Sequence, residues 1–500
     1  MKSILCLLSV FLLTAGCTRE SNEDSAAEFS VSKQSLEFPA EGGEQTFAVT
    51  SSAPVYVTHG KSWITVTEGT KKGNVTTYRV SVSENEETSM RSATLSVASS
   101  SDRKYVDVFQ AAAAPGGVNP PQPGENPALD MSARLGMGWN LGNQFDAFNN
   151  GVAGETAWGN PMATQETFNK VRAAGFTTVR IPVTWLGKYG GAPNYKISEA
   201  WLNRVAEVVG YAEKAGLNAI INMHHDGSES KYWLDIIDAA KNDAVQQQIL
   251  EQVTAMWTQI AEKFKDKGYF LIFESFNEIH DGGWGWGSNR TDGGRQYKCL
   301  NEWNQAFVNA VRATGGKNAD RFLGVPAYCT NTDLAISSFI MPKDTAQDRL
   351  LISVHCYDPS EYTLTARYSE WGHTASSSKK APGDNEAELK GTFEKLYNNF
   401  VSKGIPVYLG EFGCVNREDA RQQSFQQYYL RYYAKLSKIY GVPSILWDNG
   451  ARGAGNEKHA FIDHATGEYC SDEAKAAVQA MLDSYKNDST LEQVYASAPK

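Results

Sequence analysis

The chain has 500 residues, enough for a large core plus a second, smaller module rather than one small domain. A formal net charge of −10, with no basic cluster anywhere along the chain, argues against a nucleic-acid partner. A neutral or basic ligand fits that charge better, and the 12 tryptophans and 23 tyrosines, several of them in glycine-rich loops with little core to fill, leave a flat apolar ligand open.

At the N-terminus Lys2 precedes "ILCLLSVFLLTAG", an apolar run too short to stay in a bilayer as a permanent helix, which marks an export signal. The run closes in "LLTAGC", which resembles a bacterial lipobox with Cys17 as the lipid-bearing residue, although Thr14 stands where the pattern prefers leucine. The expected division is a signal over 1–16 and a lipidated tether over 17–26. The acidic "TRESNEDS" of the tether resembles the surface-export signals of some outer-membrane lipoproteins. The resemblance implies an outer-membrane lipoprotein exposed at the cell surface, with a periplasmic or secreted protein as the alternative. Beyond Cys6 and Cys17 the cysteines are Cys299, Cys329, Cys356, Cys414 and Cys470. They form no CxxC or Cys/His pattern, so buried free thiols are expected rather than disulfides or a structural metal.

Residues 27–112 alternate short β-rich runs with turns, as in Tyr78, Val80 and Val82, which is the signature of a small antiparallel, immunoglobulin-like sandwich. The stretches "LEFPAEGGEQTFAVTSS", "SWITVT" and "RSATLSVASSSDRKYVDVFQ" resemble the BACON domain. Its name implies sugar binding, but a spacer that lifts the next domain off the membrane is the favoured expectation. The run "AAAAPGGVNPPQPGENP" then supplies prolines and glycines that fit neither helix nor ladder, so a semi-stiff linker is expected over 113–127.

From 128 to 487 strand and helix patterns alternate. Eight strand-like runs, "RLGMGWNLGN", "TTVRIPVTW", "NAIINMHHD", "YFLIFESFNE", "RFLGVPAYC", "LLISVHCYD", "PVYLGEFG" and "PSILWDNG", are separated by helical segments. The connection after "RFLGVPAYC" carries the weakest helix signal. This is the pattern of a (β/α)8 TIM barrel rather than a doubly wound sheet, so the fold class is α/β with a small all-β sandwich in front. The C-terminal ends of the runs carry the polar residues: Asn140 and Asn143, Arg180, His224 to Asp226, Asn277 and Glu278, His355 and Tyr357, Glu411, Trp447. In such a barrel that rim holds the chemistry.

Glu278 ends the fourth run and Glu411 the seventh. Two carboxylates facing one site suit glycosidic cleavage, where one protonates the departing oxygen and the other meets positive charge at the anomeric carbon. Spacing in the sequence does not separate retention from inversion. The motifs "GMGWNLGN", "VRIPVTW", "INMHHD", "FESFNE", "HCYD", "LGEFG" and "LWDNG", in this order, resemble glycoside hydrolase family 5, in its endo-β-1,4-glucanase and xyloglucanase-like branch. The resemblance implies a retaining enzyme without cofactor or metal, with Glu278 as acid/base and Glu411 as nucleophile. It also implies that Arg180 and Tyr357 hold Glu411 and that Asn277 binds the sugar 2-hydroxyl. His224 and His355 would line the cleavage subsite, Trp447 would form its floor, and Asn143 and His225 would support substrate binding.

Glu274 is expected in the barrel wall or behind the site. Alternation along a strand is expected to turn His224 and His225 to opposite faces, against a shared metal ion. Trp158, Trp185, Trp284 and Trp286 are candidates either for sugar stacking or for burial, and the loop "YSEWGHTASSSKKAPGDN" either builds further subsites or covers one end. The expected substrate is a cellulose-type, mixed-linkage or xyloglucan β-glucan, cut internally by a monomer. A glycan-capture lipoprotein without activity, an endo-β-mannanase and a transglycosylase are the alternatives left open.

Overall fold

The structure, a computed structural model, describes residues 29–85, 91–99, 102–110 and 126–500. The signal, Cys17, the tether and nearly all of the linker lie outside the described residues. The chain divides into two compact units, 1–117 and 118–500.

The first unit is a sandwich of two four-stranded sheets. One is ordered Ser30–Val31, Gly43–Thr50, Val75–Val82, Ile64–Lys72, and the other Ser35–Phe38, Arg103–Gln110, Arg91–Ala98, Tyr56–Thr58. Alternate residues turn inward, so Val80, Leu95, Val97, Val106 and Val108 form a dry seam between the sheets. The sandwich is not wholly antiparallel as expected: Ser35–Phe38 runs parallel to Arg103–Gln110.

The second unit is a closed barrel of eight parallel strands. In chain order they are β1 (Met137–Asn140), β2 (Thr178–Ile181), β3 (Asn218–Ile221), β4 (Leu271–Glu274), β5 (Leu323–Pro326), β6 (Leu350–His355), β7 (Val407–Phe412) and β8 (Ser444–Leu446). Every strand residue is buried, as expected of parallel strands covered on both faces. Outward residues such as Val179, Ile181, Phe273 and Leu409 join the helix layer. Inward residues change character along the barrel. At the N-terminal end Ile220, Ile272, Leu351 and Ile445 pack with Met131 and Leu135 of the helix Pro127–Leu135, which closes the floor. One step higher come Asn140, Arg180, Glu274 and Ser353, all fully buried. A period of two thus places a polar layer directly under the rim.

Several expected boundaries shift. Residues 126 and 127 belong to the barrel unit: Asn126 caps the floor helix by accepting from Ala128 N and Leu129 N, and Pro127 is its first residue. The unit also continues past 487 into a helix, Leu491–Ala496, whose Tyr495 stacks on His373 with ring centroids 3.8 Å apart. The α-helix in the connection after β5 has just six residues, Thr332–Ser337, in keeping with its weak signal. In the loop "YSEWGHTASSSKKAPGDN" Trp371 is a packing residue, fully buried among Tyr428, Tyr429 and Tyr432. Cys299, Cys329, Cys356 and Cys414 are buried free thiols, and Cys470 is a half-buried one.

Candidate active site

β4 ends at Glu274, so Glu278 does not sit on the strand but four residues beyond it. The intervening chain hugs the barrel edge, with Asn277 N–H donating to Met223 O at 2.9 Å and Cys329 N–H to Ile279 O at 2.9 Å. Phe276 and Ile279 are buried in the helix layer, which leaves Asn277 and Glu278 to face the barrel mouth. Glu411 lies within β7, and its neighbour Gly410 is required by contact: a Cβ there would stand 2.8 Å from His355 Nε2.

The polar layer converges on Arg180. Its Nη2 and Nε hold Glu274 at 2.7 and 3.2 Å, its Nη1 reaches Glu411 Oε1 at 2.7 Å and Asn140 Oδ1 at 3.1 Å, and Nη2 also reaches Asn277 Oδ1 at 2.7 Å. Burial alone would disfavour this charge, but the two carboxylates outweigh it and fix the guanidinium in its ionised form. Glu274 also accepts from Tyr408 Oη at 2.6 Å and Asn222 Nδ2 at 2.9 Å. Its place behind the site is therefore as expected, while Tyr408 and Asn222 were not singled out by sequence. Gly324 makes room for that tyrosine, since a Cβ there would lie 2.2 Å from its hydroxyl.

Glu411 receives a second donor on its other oxygen, Tyr357 Oη at 2.9 Å. Burial and the facing carboxylate push the Tyr357 phenol well up, so it remains a proton donor. Glu278 pairs with His355, whose Nδ1 is 2.7 Å from Oε1 and 3.8 Å from Glu411 Oε2. One oxygen of Glu278, one of Glu411 and a ring nitrogen of His355 lie within 4.8 Å of one another. Burial raises Glu411 above the usual carboxylate range against the pull of His355 and Arg180. Burial pushes the Glu278 carboxyl up, but the His355 hydrogen bond and the neighbouring His355, His280 and Arg180 together hold it below that range. The two carboxyls therefore titrate as one pair.

Trp447 is nearly buried and parallel to His224, with planes 4° apart and centroids at 6.1 Å. His224 Nε2 lies 3.9 Å from Glu411 Oε1, and burial pushes the imidazole well below its usual pKa. His224, His355, Trp447, Arg180, Tyr357 and Asn277 thus gather around the two glutamates. His225 and Asn143 stand aside. Asn143 takes a left-handed φ of 54° and donates its N–H to Asp146, whose carboxylate is 3.6 Å from His225 Nε2.

The expected divergence of His224 and His225 is not what the structure has. β3 stops at Ile221, and beyond it the two rings meet edge-on at 4.5 Å, close to Asp146. His225 instead joins an aromatic set with Phe148 and Trp158, and Tyr232 packs edge-on against Phe148. Trp158 in that set is 41% exposed. Trp185, by contrast, is a core residue, fully buried with its Nε1 donating to Asn222 O at 3.0 Å.

A family model described as cellulase (glycosyl hydrolase family 5) matches residues 142–453, and one described as BACON, a putative N-terminal binding domain, matches residues 42–111. The chain is similar to a solved GH5-4 broad specificity endoglucanase from Bacteroides salanitronis, at 56% identity over 72% of this chain and 95% of that one, with a TM-score of 0.70. It is 38% identical to Endoglucanase A of Paenibacillus barcinonensis over 67% of this chain and 84% of the relative. A xyloglucan-specific endo-β-1,4-glucanase from Bacteroides ovatus is 30% identical over 90% of this chain and 92% of its own length.

Proposed function

The chain belongs to glycosyl hydrolase family 5, and we propose that Glu278 and Glu411 are the acid/base and the nucleophile with which it cuts β-1,4-glucans with retention. It is an endo-β-1,4-glucanase. The observation that carries the mechanism is the approach of the two carboxylates, whose nearest oxygens lie within 4.8 Å. Retaining glycosidases hold their carboxyl groups about 5–5.5 Å apart, whereas inverting ones leave room for a water between them.

In the first step Glu411 attacks the anomeric carbon while Glu278 gives its proton to the glycosidic oxygen, so the carbon–oxygen bond breaks and a glycosyl ester forms on Glu411. In the second step Glu278 takes a proton from water, which attacks the same carbon and frees Glu411. The division of roles follows the donors. Glu411 is held by Arg180 and Tyr357, neither of which gives up its proton at working pH, so its carboxylate is the one fixed and ionised for attack. Glu278 is paired with a ring nitrogen of His355 that donates or accepts according to its tautomer, which suits a group that gives and then takes a proton. Burial pushes the Glu411 carboxyl up, and the Arg180 and Tyr357 hydrogen bonds to its two oxygens act against that by favouring the ionised form. Arg180 occupies Asn277 Oδ1, which leaves the amide NH2 of Asn277 to donate to the sugar 2-hydroxyl.

Cellulose-type, mixed-linkage and xyloglucan chains are the proposed substrates, supported by relatives named for broad specificity and for xyloglucan. The lipobox-like "LLTAGC" supports an outer-membrane lipoprotein anchored through Cys17, in which case Cys17→Ala releases the enzyme from the membrane fraction. The deciding experiment measures reducing ends and product lengths from barley β-glucan, xyloglucan, carboxymethylcellulose and glucomannan, with the wild type and Glu411→Ala. Cleavage lost in the variant supports the assignment. Turnover near the wild-type level in the variant overturns it.

A further inference from the structure

Asn222 is the first residue past β3, and its side chain is fully buried and held from three directions. Its Oδ1 accepts from Val183 N–H at 3.0 Å, while its Nδ2 lies 2.9 Å from Glu274 Oε1 and 3.2 Å from His224 Nδ1. The main chain is pinned as well. Asn222 O accepts from Trp185 Nε1 at 3.0 Å, and His224 N–H donates to Val183 O at 2.8 Å. The amide thus continues the ladder between β2 and β3 past Ile181 and Ile221, where their pairing ends.

These partners settle which way the amide faces. A backbone N–H can only donate, so the oxygen of Asn222 must lie toward Val183. Glu274, ionised against Arg180, can only accept, so the NH2 group must lie toward it and toward the ring. With one N–H on Glu274, the other meets His224 Nδ1, which is left to accept. A neutral imidazole carries one proton, and here it must sit on Nε2, the nitrogen 3.9 Å from Glu411 Oε1. A second proton would set Nδ1–H against the amide N–H, and burial disfavours the charged ring as well.

We propose that Asn222 is a positioning residue that fixes the proton of His224 on Nε2, so that this ring stands as a donor to the sugar held at Glu411. The inference rests on the hydrolase reading above. His224 cannot act as a base, because the nitrogen that faces the nucleophile already carries a proton. His355, with Nδ1 2.7 Å from Glu278, remains the imidazole whose tautomer is free to follow the reaction.

The test reads the proton directly, by heteronuclear NMR of the protein isotopically labelled at histidine nitrogen. The His224 signals, identified by their loss in His224→Gln, should show a protonated Nε2 and a bare Nδ1 between about pH 5 and 8. In Asn222→Asp an oxygen replaces the NH2 group while the acceptor for Val183 N–H remains, so the proton should move to Nδ1. The same variant should lose about tenfold in kcat/KM on cellopentaose, the worth of one hydrogen bond. A proton on Nδ1 in the wild type, a ring that gains a second proton within that range, or an unmoved proton in the aspartate variant overturns the proposal. A moved proton with unchanged kcat/KM refutes the donor role. A wild type inert on cellopentaose would fail the hydrolase reading instead, and the wild-type spectrum decides the tautomer without turnover.

Discussion

Arg180 holds Glu274 with Nη2 at 2.7 Å and Nε at 3.2 Å, and only its remaining Nη1 reaches the proposed nucleophile. The cation is therefore neutralised from behind, and Glu274 rather than Glu411 is the carboxylate the fold depends on. Glu274→Ala should cost about 3–5 kcal/mol in denaturant unfolding, because it leaves a buried guanidinium without its main counter-charge. Glu411→Gln keeps the Arg180–Glu274 pair and should stay within about 1 kcal/mol of wild type while losing activity. Equal destabilisation by the two substitutions would contradict this division.

The two glutamates are also distinguishable by product stereochemistry. Added azide enters the space left by the missing carboxylate and attacks from that side. With an activated aryl cellobioside, Glu411→Ala plus azide should yield the α-glycosyl azide. Glu278→Ala plus azide should yield the β-anomer, since the ester on Glu411 still forms first. NMR of the products reads the anomer directly, and the opposite pairing would exchange the roles.

Much of this was legible in the sequence because an apolar run buried on both faces and ending in polar residues is a local pattern. The eight barrel runs contain the eight strands, and the polar end of each run marks the rim residue. Arg180, Asn277, Tyr357 and His355 could be named by family resemblance, and in the structure Arg180 and Tyr357 hydrogen-bond Glu411, Arg180 hydrogen-bonds Asn277, and His355 hydrogen-bonds Glu278. What failed was register at strand ends. β3 and β4 stop earlier than their apolar runs, so His224 and His225 escape alternation and Glu278 lies off the strand. Tyr408 and Asn222 went unnoticed because each is one polar side chain in an apolar run, and only barrel closure brings them to Glu274. The fate of Trp185 and of the exposed pair at 284 and 286 depended on tertiary burial, which composition does not encode.

The N-cap at Asn126 sets where the catalytic unit can be cut. Its side chain accepts from Ala128 N–H at 3.0 Å and Leu129 N–H at 3.1 Å, and it donates to Gly404 O at 2.9 Å. A chain starting at Asn126 should keep full activity on soluble glucan, because the residues gathered around the two glutamates all lie between Asn140 and Trp447. One starting at Ala128 loses the cap and should unfold about 1 kcal/mol sooner. A large fall in kcat for the longer chain would mean that the sandwich takes part in turnover.

The acid side of the stability curve should carry the mark of His459. This ring is fully buried with no hydrogen-bond partner on either nitrogen among the described residues, and burial holds its pKa down at about 3 against an ordinary 6.5. Below pH 6.5 the unfolded chain takes up a proton that the folded one refuses, so stability is full above that pH and falls as pH drops toward 3. Between pH 6.5 and 5 the loss from this group is about 2 kcal/mol. Asp226 works in the other direction, since burial raises its carboxyl to about 6 and the folded state takes the proton first. Comparing wild type with His459→Leu cancels Asp226, which both chains share. The leucine variant should lose about 2 kcal/mol less than wild type across that interval in urea unfolding, whatever its absolute stability. Parallel pH curves for the two proteins would mean that His459 is protonated in the folded state.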